Sequence, residues 1–165
     1  MTILSRMHGP VATLDSAPAV RIEAATVADI QQHGDALLRA HAAESEPDLA
    51  ERLDPAWDAY EAAEARADLI ILAARQGDQL VGYAVATLFR STHYALFLCQ
   101  QDLLFVLPEW RQRGVGLRLI NRLRLEAKRR GADRLLMHAK PASLLDGLLR
   151  ILGLRVEETI FVEDL

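Results

Sequence analysis

The chain has 165 residues, of which 51% are hydrophobic, and its formal net charge is −4 at pH 7. This length suits one domain with a sizeable core, and the hydrophobic content excludes a chain that is disordered throughout. The acidic balance excludes a protein that binds polyanions over its whole surface, so any anion site must be local.

Residues 1–19 contain scattered Gly, Pro and Ser and lack the apolar core of a signal peptide. We therefore expect a flexible N-terminal arm, followed by one domain over residues 20–165. The single cysteine, Cys99, cannot form an internal disulfide, which agrees with a cytoplasmic protein. No apolar run is long enough to cross a bilayer, and no membrane partner is expected.

Hydrophobic periodicity and turn residues divide the domain into strands and helices. The predicted elements, in chain order, are a strand over 20–24, helices over 27–43 and 54–66, strands over 69–75 and 80–89, a strand within 95–106, a helix over 116–130, a strand over 134–139, a helix over 144–152 and a last strand over 156–162. An antiparallel hairpin followed by strand–helix–strand predicts an α/β domain with a mixed sheet.

Capping residues support several of these boundaries. Thr26 is a suitable N-cap for the first helix, and Asp54 with Pro55 for the second. Gly131 and Gly153 end the two later helices. The strand within 95–106 is almost continuously apolar, which is typical of a strand buried on both faces.

The junction between that strand and the next helix reads LPEWRQRGVGLRL over residues 107–119. The first amides of a helix have no partner within the helix, and the helix dipole favours an anion there. Gly114 and Gly116 would let the backbone approach such a ligand closely, and Arg111 and Arg113 add positive charge. Pro108 interrupts strand pairing just before this point. The junction therefore predicts a phosphate site, with a plain strand-to-helix turn as the alternative.

Two common nucleotide motifs do not fit this junction. A dinucleotide-binding fingerprint needs a third glycine where this chain has Leu119, and a P-loop needs Lys after the second glycine, where it has Leu117. The glycines alone therefore do not identify the phosphate ligand.

The segment around these glycines resembles motif A of the GNAT acyltransferase superfamily. The matching residues are Val106, Pro108, Arg111, Gly114 and Gly116. The order of predicted elements from residue 20 to the end is also similar to that of the family. More narrowly, HisTyr at 93–94 together with DLLFV at 102–106 is similar to a phage-associated subgroup of acetyltransferases.

The resemblance implies a single GNAT-like domain with a mixed, mostly antiparallel central sheet, a splayed and bulged strand, and helices on both faces. It implies acetyl-CoA as the co-substrate, without a metal, and transfer of the acetyl group to a primary amine of a small molecule or a peptide. Family members often dimerise, so a homodimer is an expectation. The cofactor-binding residues that it implies are Phe105, Val106 and Leu107 for the pantetheine arm, and Arg111, Gln112, Arg113, Gly114, Val115, Gly116 and Leu117 for the diphosphate.

The candidate catalytic residues are Asp102, Tyr94 and His93. Asp102 interrupts an apolar strand, and a carboxylate buried there would be a stronger base than a solvated one; a hydrogen-bonded structural residue is the alternative. His93 and Tyr94 begin the same strand and would line a substrate pocket. No His/Cys cluster indicates a metal site.

One position departs from the family pattern. Many family members have a tyrosine, used as general acid, four residues before the late glycine; here that glycine is Gly153 and the position is occupied by Leu149. Either Tyr94 or Tyr83 replaces this acid, or no acid is used. A CoA-binding regulatory module with little or no turnover is therefore the alternative function. Nucleic acid is not expected as a partner, since the arginines of the 116–130 helix surround it instead of forming one stripe.

Overall fold

The computed structural model describes residues 19–163, so nearly all of the predicted N-terminal arm lies outside the described residues. The strands are β1 (Arg21–Ala24), β2 (Leu69–Gln76), β3 (Gln79–Arg90), β4 (Phe97–Val106) and β5 (Arg134–Leu136). The helices are α1 (Val27–His33), α2 (Asp35–Ser45), α3 (Trp57–Ala65), α4 (Pro108–Arg111), α5 (Val115–Arg129) and α6 (Leu144–Ile151), with a 3-10 helix over Pro47–Arg52.

The strands form one sheet in the order β1-β2-β3-β4-β5. All neighbours are antiparallel except β4 and β5, which are parallel. Helices α1, α2 and α3 cover one face of the sheet and α5 covers the other, so two apolar cores lie on opposite sides. The predicted α/β domain with a mixed, mostly antiparallel sheet and helices on both faces is confirmed.

Strand β4 is both bulged and splayed. Val85 pairs with Leu103 but the next residue, Ala86, pairs with Gln101, so Asp102 is an extra residue in β4. β4 pairs with β3 along its whole length, whereas it pairs with β5 only from Leu98 to Gln100. The splayed, bulged strand that the resemblance implied is therefore present.

The first predicted helix, 27–43, is divided in two at Gly34. The Gly34 N–H donates to the carbonyl of Ile30 at 2.7 Å, and a Cβ at this position would lie only 2.6 Å from the same oxygen. The glycine allows this close turn, and α2 follows from Asp35 to Ser45.

The second helix begins later than expected. Its N-cap is Ala56, not Asp54, and the Trp57 N–H donates to the Pro55 carbonyl in a tight turn before the helix. Asp54 and Pro55 therefore precede the helix instead of opening it. Pro47 begins the 3-10 helix in the segment where only an interruption was expected.

The predicted last strand over 156–162 is wrong. No residue in 154–163 belongs to the sheet, and the apolar side chains of Val156, Ile160 and Phe161 are exposed. β5 is also shorter than predicted and ends at Leu136. A residue pattern can indicate that a segment is extended, but it does not provide a neighbouring strand edge with which to pair.

Leu123 and Leu125 test the assignment of the buried face of α5. Leu123 is fully buried against the sheet, whereas Leu125 on the same helix is 66% exposed. We expect Leu123→Ala to lower the free energy of unfolding by about 2–5 kcal/mol, and Leu125→Ala to change it by less than about 0.5 kcal/mol. Urea denaturation of both variants measures the difference, and equal losses would contradict the assignment.

Candidate active site

The splay leaves one edge of β4 unpaired near its end. The Leu107 N–H donates to the Val81 carbonyl at 3.0 Å, so the backbone of Leu107 faces β3. Because backbone groups alternate along a strand, those of Leu104 and Val106 face the opposite edge, beyond the end of β5. The Val106 carbonyl accepts a bond from Nε of Arg111 at 2.8 Å. An extended ligand can pair with the remaining groups on this edge.

The open edge of β4 shows which of the expected pantetheine residues, 105–107, could meet a ligand. Phe105 and Val106 have buried side chains, so only their backbones could meet a ligand. A Cβ on Gly82 of β3 would lie 2.8 Å from the Phe105 carbonyl, which shows that Phe105 also faces β3. Of residues 105–107, only Val106 therefore presents its backbone to the open edge. Leu104 does so as well, which sequence reasoning missed because the register depends on the bulge.

The cofactor loop, residues 111–117, connects α4 to α5. Trp110 is buried in the core beside Val115 and anchors the start of the loop. Gly114 is the N-cap of α5 with φ at 70°, a left-handed conformation that glycine adopts without strain. The first bond to the cap is from the Arg118 N–H to the Gly114 carbonyl. The N–H groups of residues 115–117 precede it and have no acceptor within the helix.

Gly116 shows why the loop suits a ligand. A Cβ at Gly116 would meet no atom within 4 Å, and its φ is not positive. Neither packing nor backbone strain within the described residues therefore requires a glycine here. The open space lies against the helix N-terminus, where Leu117 is 37% exposed. Unbonded amides at the positive end of a helix dipole form a donor set that fits a diphosphate.

The two arginines of the loop have different partners. Arg111 donates through Nη2 to Oε2 of Glu44 on α2 at 2.6 Å, and its guanidinium lies 5.3 Å from the centre of the Phe105 ring. Arg113 instead lies over the Trp110 ring at 4.5 Å and, like Gln112, is exposed. Arg111 thus connects the cofactor loop to α2, while Arg113 is better placed to meet an anion.

Asp102 lies on the face of the sheet that carries α1, α2 and α3. Its Oδ2 accepts the Tyr60 hydroxyl of α3 at 2.5 Å. The residue is exposed, so the expected burial of Asp102 in an apolar strand is wrong. The bulge explains this, because an extra residue changes which face of the strand each following side chain occupies. Burial and the Asp102 carboxylate raise the pKa of the Tyr60 hydroxyl well above its usual value, which keeps it a donor.

A second polar pair, His41 and Tyr83, lies on the same face. Nδ1 of His41 and the hydroxyl of Tyr83 are 2.7 Å apart, and the His41 ring stacks on Phe105 with centroids separated by 4.8 Å. Burial lowers the pKa of His41 below its usual value, and the Arg111 charge acts in the same direction. Sequence reasoning missed His41, although a histidine at helical spacing from the buried Leu37 and Leu38 was a usable signal.

The expectation that His93 and Tyr94 begin the long strand is wrong, because β4 begins at Phe97 and both residues lie in the exposed loop before it. Their N–H groups are 3.4 and 3.2 Å from the Ser91 hydroxyl, which accepts from both. Within residues 19–163, no side-chain hydrogen bond connects either residue to Asp102. Asp102 lies farther along the chain, within β4. Their catalytic role stays a prediction.

Neither tyrosine that could replace the absent general acid is well placed. Tyr83 is fully buried and its hydroxyl contacts His41, whereas Tyr94 is 72% exposed. Leu149, at the usual position of the acid, is buried in α6 at 7% exposure. Cys99 is also fully buried, which raises the pKa of its thiol to about 11 and makes it a poor nucleophile.

A buried side chain bridges β4 and the chain after β5 at the point where the two strands separate. Gln101 is buried, and its Oε1 accepts the His138 N–H at 3.0 Å just beyond the end of β5. His138 was expected within a strand; instead it follows the strand and is exposed.

Within residues 19–163 no group of His, Cys, Asp and Glu could hold a metal ion. In that same range the helices are too short or too polar to cross a bilayer.

A splayed strand beside a helix N-terminus that suits an anion agrees with the GNAT-like arrangement that the resemblance implies. The sequence matches the model of the acetyltransferase (GNAT) family over residues 35–144, and the chain belongs to that family. No curated protein matches the sequence. The narrower similarity to a phage-associated subgroup stays a prediction.

Solved structures share the fold at low sequence identity. An aminoglycoside acetyltransferase from an uncultured soil metagenomic sample has a TM-score of 0.71 and 20% identity, covering 89% of this chain and 99% of that one. Ribosomal-protein-alanine N-acetyltransferase from Brucella melitensis biovar Abortus 2308 has a TM-score of 0.65 and 21% identity, covering 89% and 100%. A second soil metagenomic aminoglycoside acetyltransferase, in complex with sisomicin, has a TM-score of 0.68 and 13% identity, covering 88% and 96%.

Gly116 and Gly114 should respond oppositely to a methyl group. Gly116→Ala adds a Cβ into open space in the first turn of α5, so we expect the free energy of unfolding to rise by up to about 1 kcal/mol. Gly114→Ala places a Cβ at φ of 70°, so we expect a loss of about 1 kcal/mol. Thermal unfolding of both variants checks the signs. A destabilised Gly116→Ala would mean that the space is already filled by the protein.

Proposed function

We propose that this acetyltransferase transfers the acetyl group of acetyl-CoA to a primary amine of a small molecule or a peptide. The observation that carries the proposal is the open space at Gly116, beside the free amides of α5, in a cleft that Leu104 and Val106 of the unpaired β4 edge also line. Acetyl-CoA would supply the activated thioester. The reaction is direct attack by the amine, with no covalent acyl-enzyme.

The cofactor would be held mainly by backbone groups. We propose the N–H groups of residues 115–117 for the diphosphate, with charge from Arg113, and the backbone of Leu104 with the N–H of Val106 for the pantetheine arm. The N–H groups of Arg113 and Gly114 already donate to the carbonyls of Trp110 and Arg111. A backbone N–H near the bulge would polarise the thioester carbonyl. Arg111, which is bonded to Glu44 and Val106, would support the shape of the loop.

The acceptor would approach from the face that carries α1, α2 and α3. Asp102 offers an exposed carboxylate at the bulge, and we propose that it holds the ammonium group of the amine. His93 and Tyr94, in the exposed loop before β4, would contact the outer part of the acceptor. Aminoglycoside and ribosomal-protein-alanine acetyltransferases are both among the similar structures, which supports an amine acceptor without choosing its size.

The alternative is a CoA-binding regulatory module with little or no turnover. The buried Leu149, at the position of the usual acid, favours it. Catalysis without an acid is nevertheless chemically reasonable, because a thiol pKa near ~8.5 makes the thiolate a tolerable leaving group at neutral pH.

Cofactor binding is tested by thermal unfolding with acetyl-CoA. At a concentration about 100 times its Kd, we expect stabilisation of about 2.7 kcal/mol. Gly116→Glu should abolish the shift, because its carboxylate would occupy the diphosphate space. Asn121→Glu makes the same charge change on α5 away from the loop and should keep the shift. No shift in the unmodified protein at millimolar acetyl-CoA would contradict the proposed site.

Acetyl transfer is tested by thiol release from acetyl-CoA with polyamines, aminoglycosides, amino acids and peptides. We expect at least one cationic amine to release CoA, and we expect Asp102→Asn to raise the KM for that amine more than the KM for acetyl-CoA. Binding of acetyl-CoA without release in any of these classes would favour the regulatory module.

A further inference from the structure

We infer that His41 accepts the proton that the acceptor amine must lose, an inference that rests on the proposed acetyl transfer. His41 lies on α2, and its ring stacks on Phe105 at an interplanar angle of 19°. Phe105 lies between Leu104 and Val106, the residues whose backbone faces the proposed thioester arm. The imidazole is therefore beside the proposed thioester arm, on the acceptor side of the sheet, and it lines the same cleft as Asp102 at the bulge.

The contact with Tyr83 gives the ring a defined orientation. Nδ1 lies 2.7 Å from the Tyr83 hydroxyl, and burial raises the pKa of that hydroxyl well above its usual value, so it stays protonated and uncharged. A hydroxyl oxygen can accept from an Nδ1–H in both the neutral and the charged imidazole. We assign this tautomer because the contact then persists in both states and Nε2 carries the lone pair.

The other ring nitrogen is accessible. Within residues 19–163, every buried side-chain nitrogen or oxygen has a hydrogen-bond partner. Nε2 of His41 makes no hydrogen bond in this range, so it is not among the buried atoms. His41 as a whole is half-buried and lines the same cleft as Asp102. A proton can therefore reach Nε2 from the cleft.

Charged groups face His41 from several elements. Glu44 on α2 and Asp102 on β4 raise the pKa of His41, whereas Arg111 on α4 lowers it. The neighbouring hydroxyls, Tyr83 on β3 and Tyr60 on α3, are neutral. Burial has the largest effect and lowers the pKa, so the ring is neutral at pH 7 and able to accept a proton.

The proposed acetyl transfer forms one bond, breaks one bond and releases one proton. The ammonium group held by Asp102 gives one proton to Nε2 of His41, and the neutral amine attacks the thioester carbon. The N–C bond forms and the C–S bond breaks. The surplus proton on the nitrogen goes to the departing thiolate, and the imidazolium returns its proton to water. The products are an amide, a thiol and one proton.

Asp102 and His41 would thus have separate roles. Asp102 is an exposed carboxylate that already accepts the Tyr60 hydroxyl, which suits it to bind positive charge. His41 is partly desolvated, neutral and free at Nε2, which suits it to take a proton. Two titratable groups in different environments on one face of the sheet can divide binding and proton transfer between them.

The first experiment replaces His41 with Gln and follows thiol release across pH. We expect kcat to fall about 100-fold, with the KM for acetyl-CoA nearly unchanged and the acidic limb of the kcat/KM profile lost. The thermal shift with acetyl-CoA should persist, which shows that the variant folds and binds. His33→Gln, an exposed histidine on α1, is the matched control and should leave the profile unchanged.

The second experiment shifts the acidic limb of the kcat/KM profile while keeping the His41 imidazole. Glu44→Gln removes a negative charge that raises the pKa of His41, so the limb should move to lower pH. Arg111→Met removes a positive charge that lowers this pKa, so the limb should move to higher pH. Glu51→Gln in the 3-10 helix makes the same charge change as Glu44→Gln elsewhere and should not move it.

The outcomes separate this inference from the proposed function. If the unmodified protein transfers acetyl groups and His41→Gln retains its rate and acidic limb, His41 is not the proton acceptor. The inference also fails if the limb follows the acceptor's own pKa and ignores both Glu44→Gln and Arg111→Met. If the unmodified protein binds acetyl-CoA but transfers to no amine, both acetyl transfer and the role of His41 are overturned, while the cofactor site stands.

Discussion

The structure depends on the unequal pairing of β4. On one side this strand pairs with β3 from Phe97 to Val106, and on the other it pairs with β5 over only three residues, Leu98 to Gln100. An unpaired strand edge inside a domain would leave buried polar backbone without partners. Here the edge borders a cleft, so its N–H and C=O groups can meet a ligand. The site therefore arises from where a strand pair ends, and not from any single side chain.

The bulge at Asp102 adds a second consequence to that pairing. It changes which side chains of β4 face each apolar core, so Leu104 and Val106 pack toward α5 while Leu103 and Phe105 pack toward α1, α2 and α3. One face of the sheet then has the helix N-terminus that suits an anion. The opposite face has the polar pairs Tyr60–Asp102 and His41–Tyr83. A cofactor and an amine can thus approach the same strand from different sides, which direct transfer requires.

The sequence predicts the local features well, and the pairing features less well. Gly114 and Gly116 at the start of an amphipathic helix indicated an anion site, because helix ends and glycines act locally. The sequence does not indicate a helix break at Gly34, since only the closeness of the Ile30 carbonyl shows why a glycine is needed there. The last strand is wrong because a strand needs a neighbour with which to pair, and β5, which ends at Leu136, does not offer one. His41 contacts Tyr83 of β3, and Tyr60 contacts Asp102 of β4. The residues of each pair are 42 positions apart, so spacing along the chain cannot reveal these contacts.

The hydrogen bond between Gln101 and His138 sets a limit to the opening between β4 and β5. At the apex of this wedge, a buried amide side chain takes the place of a backbone bond between the strands. A ligand entering along β4 can advance only to this point before it must break that bond. The opening between β4 and β5 therefore ends at a fixed depth. The distance from α5 to Gln101 would limit the length of an acyl-carrying arm, and the length of that arm would determine where its acyl group lies along β4.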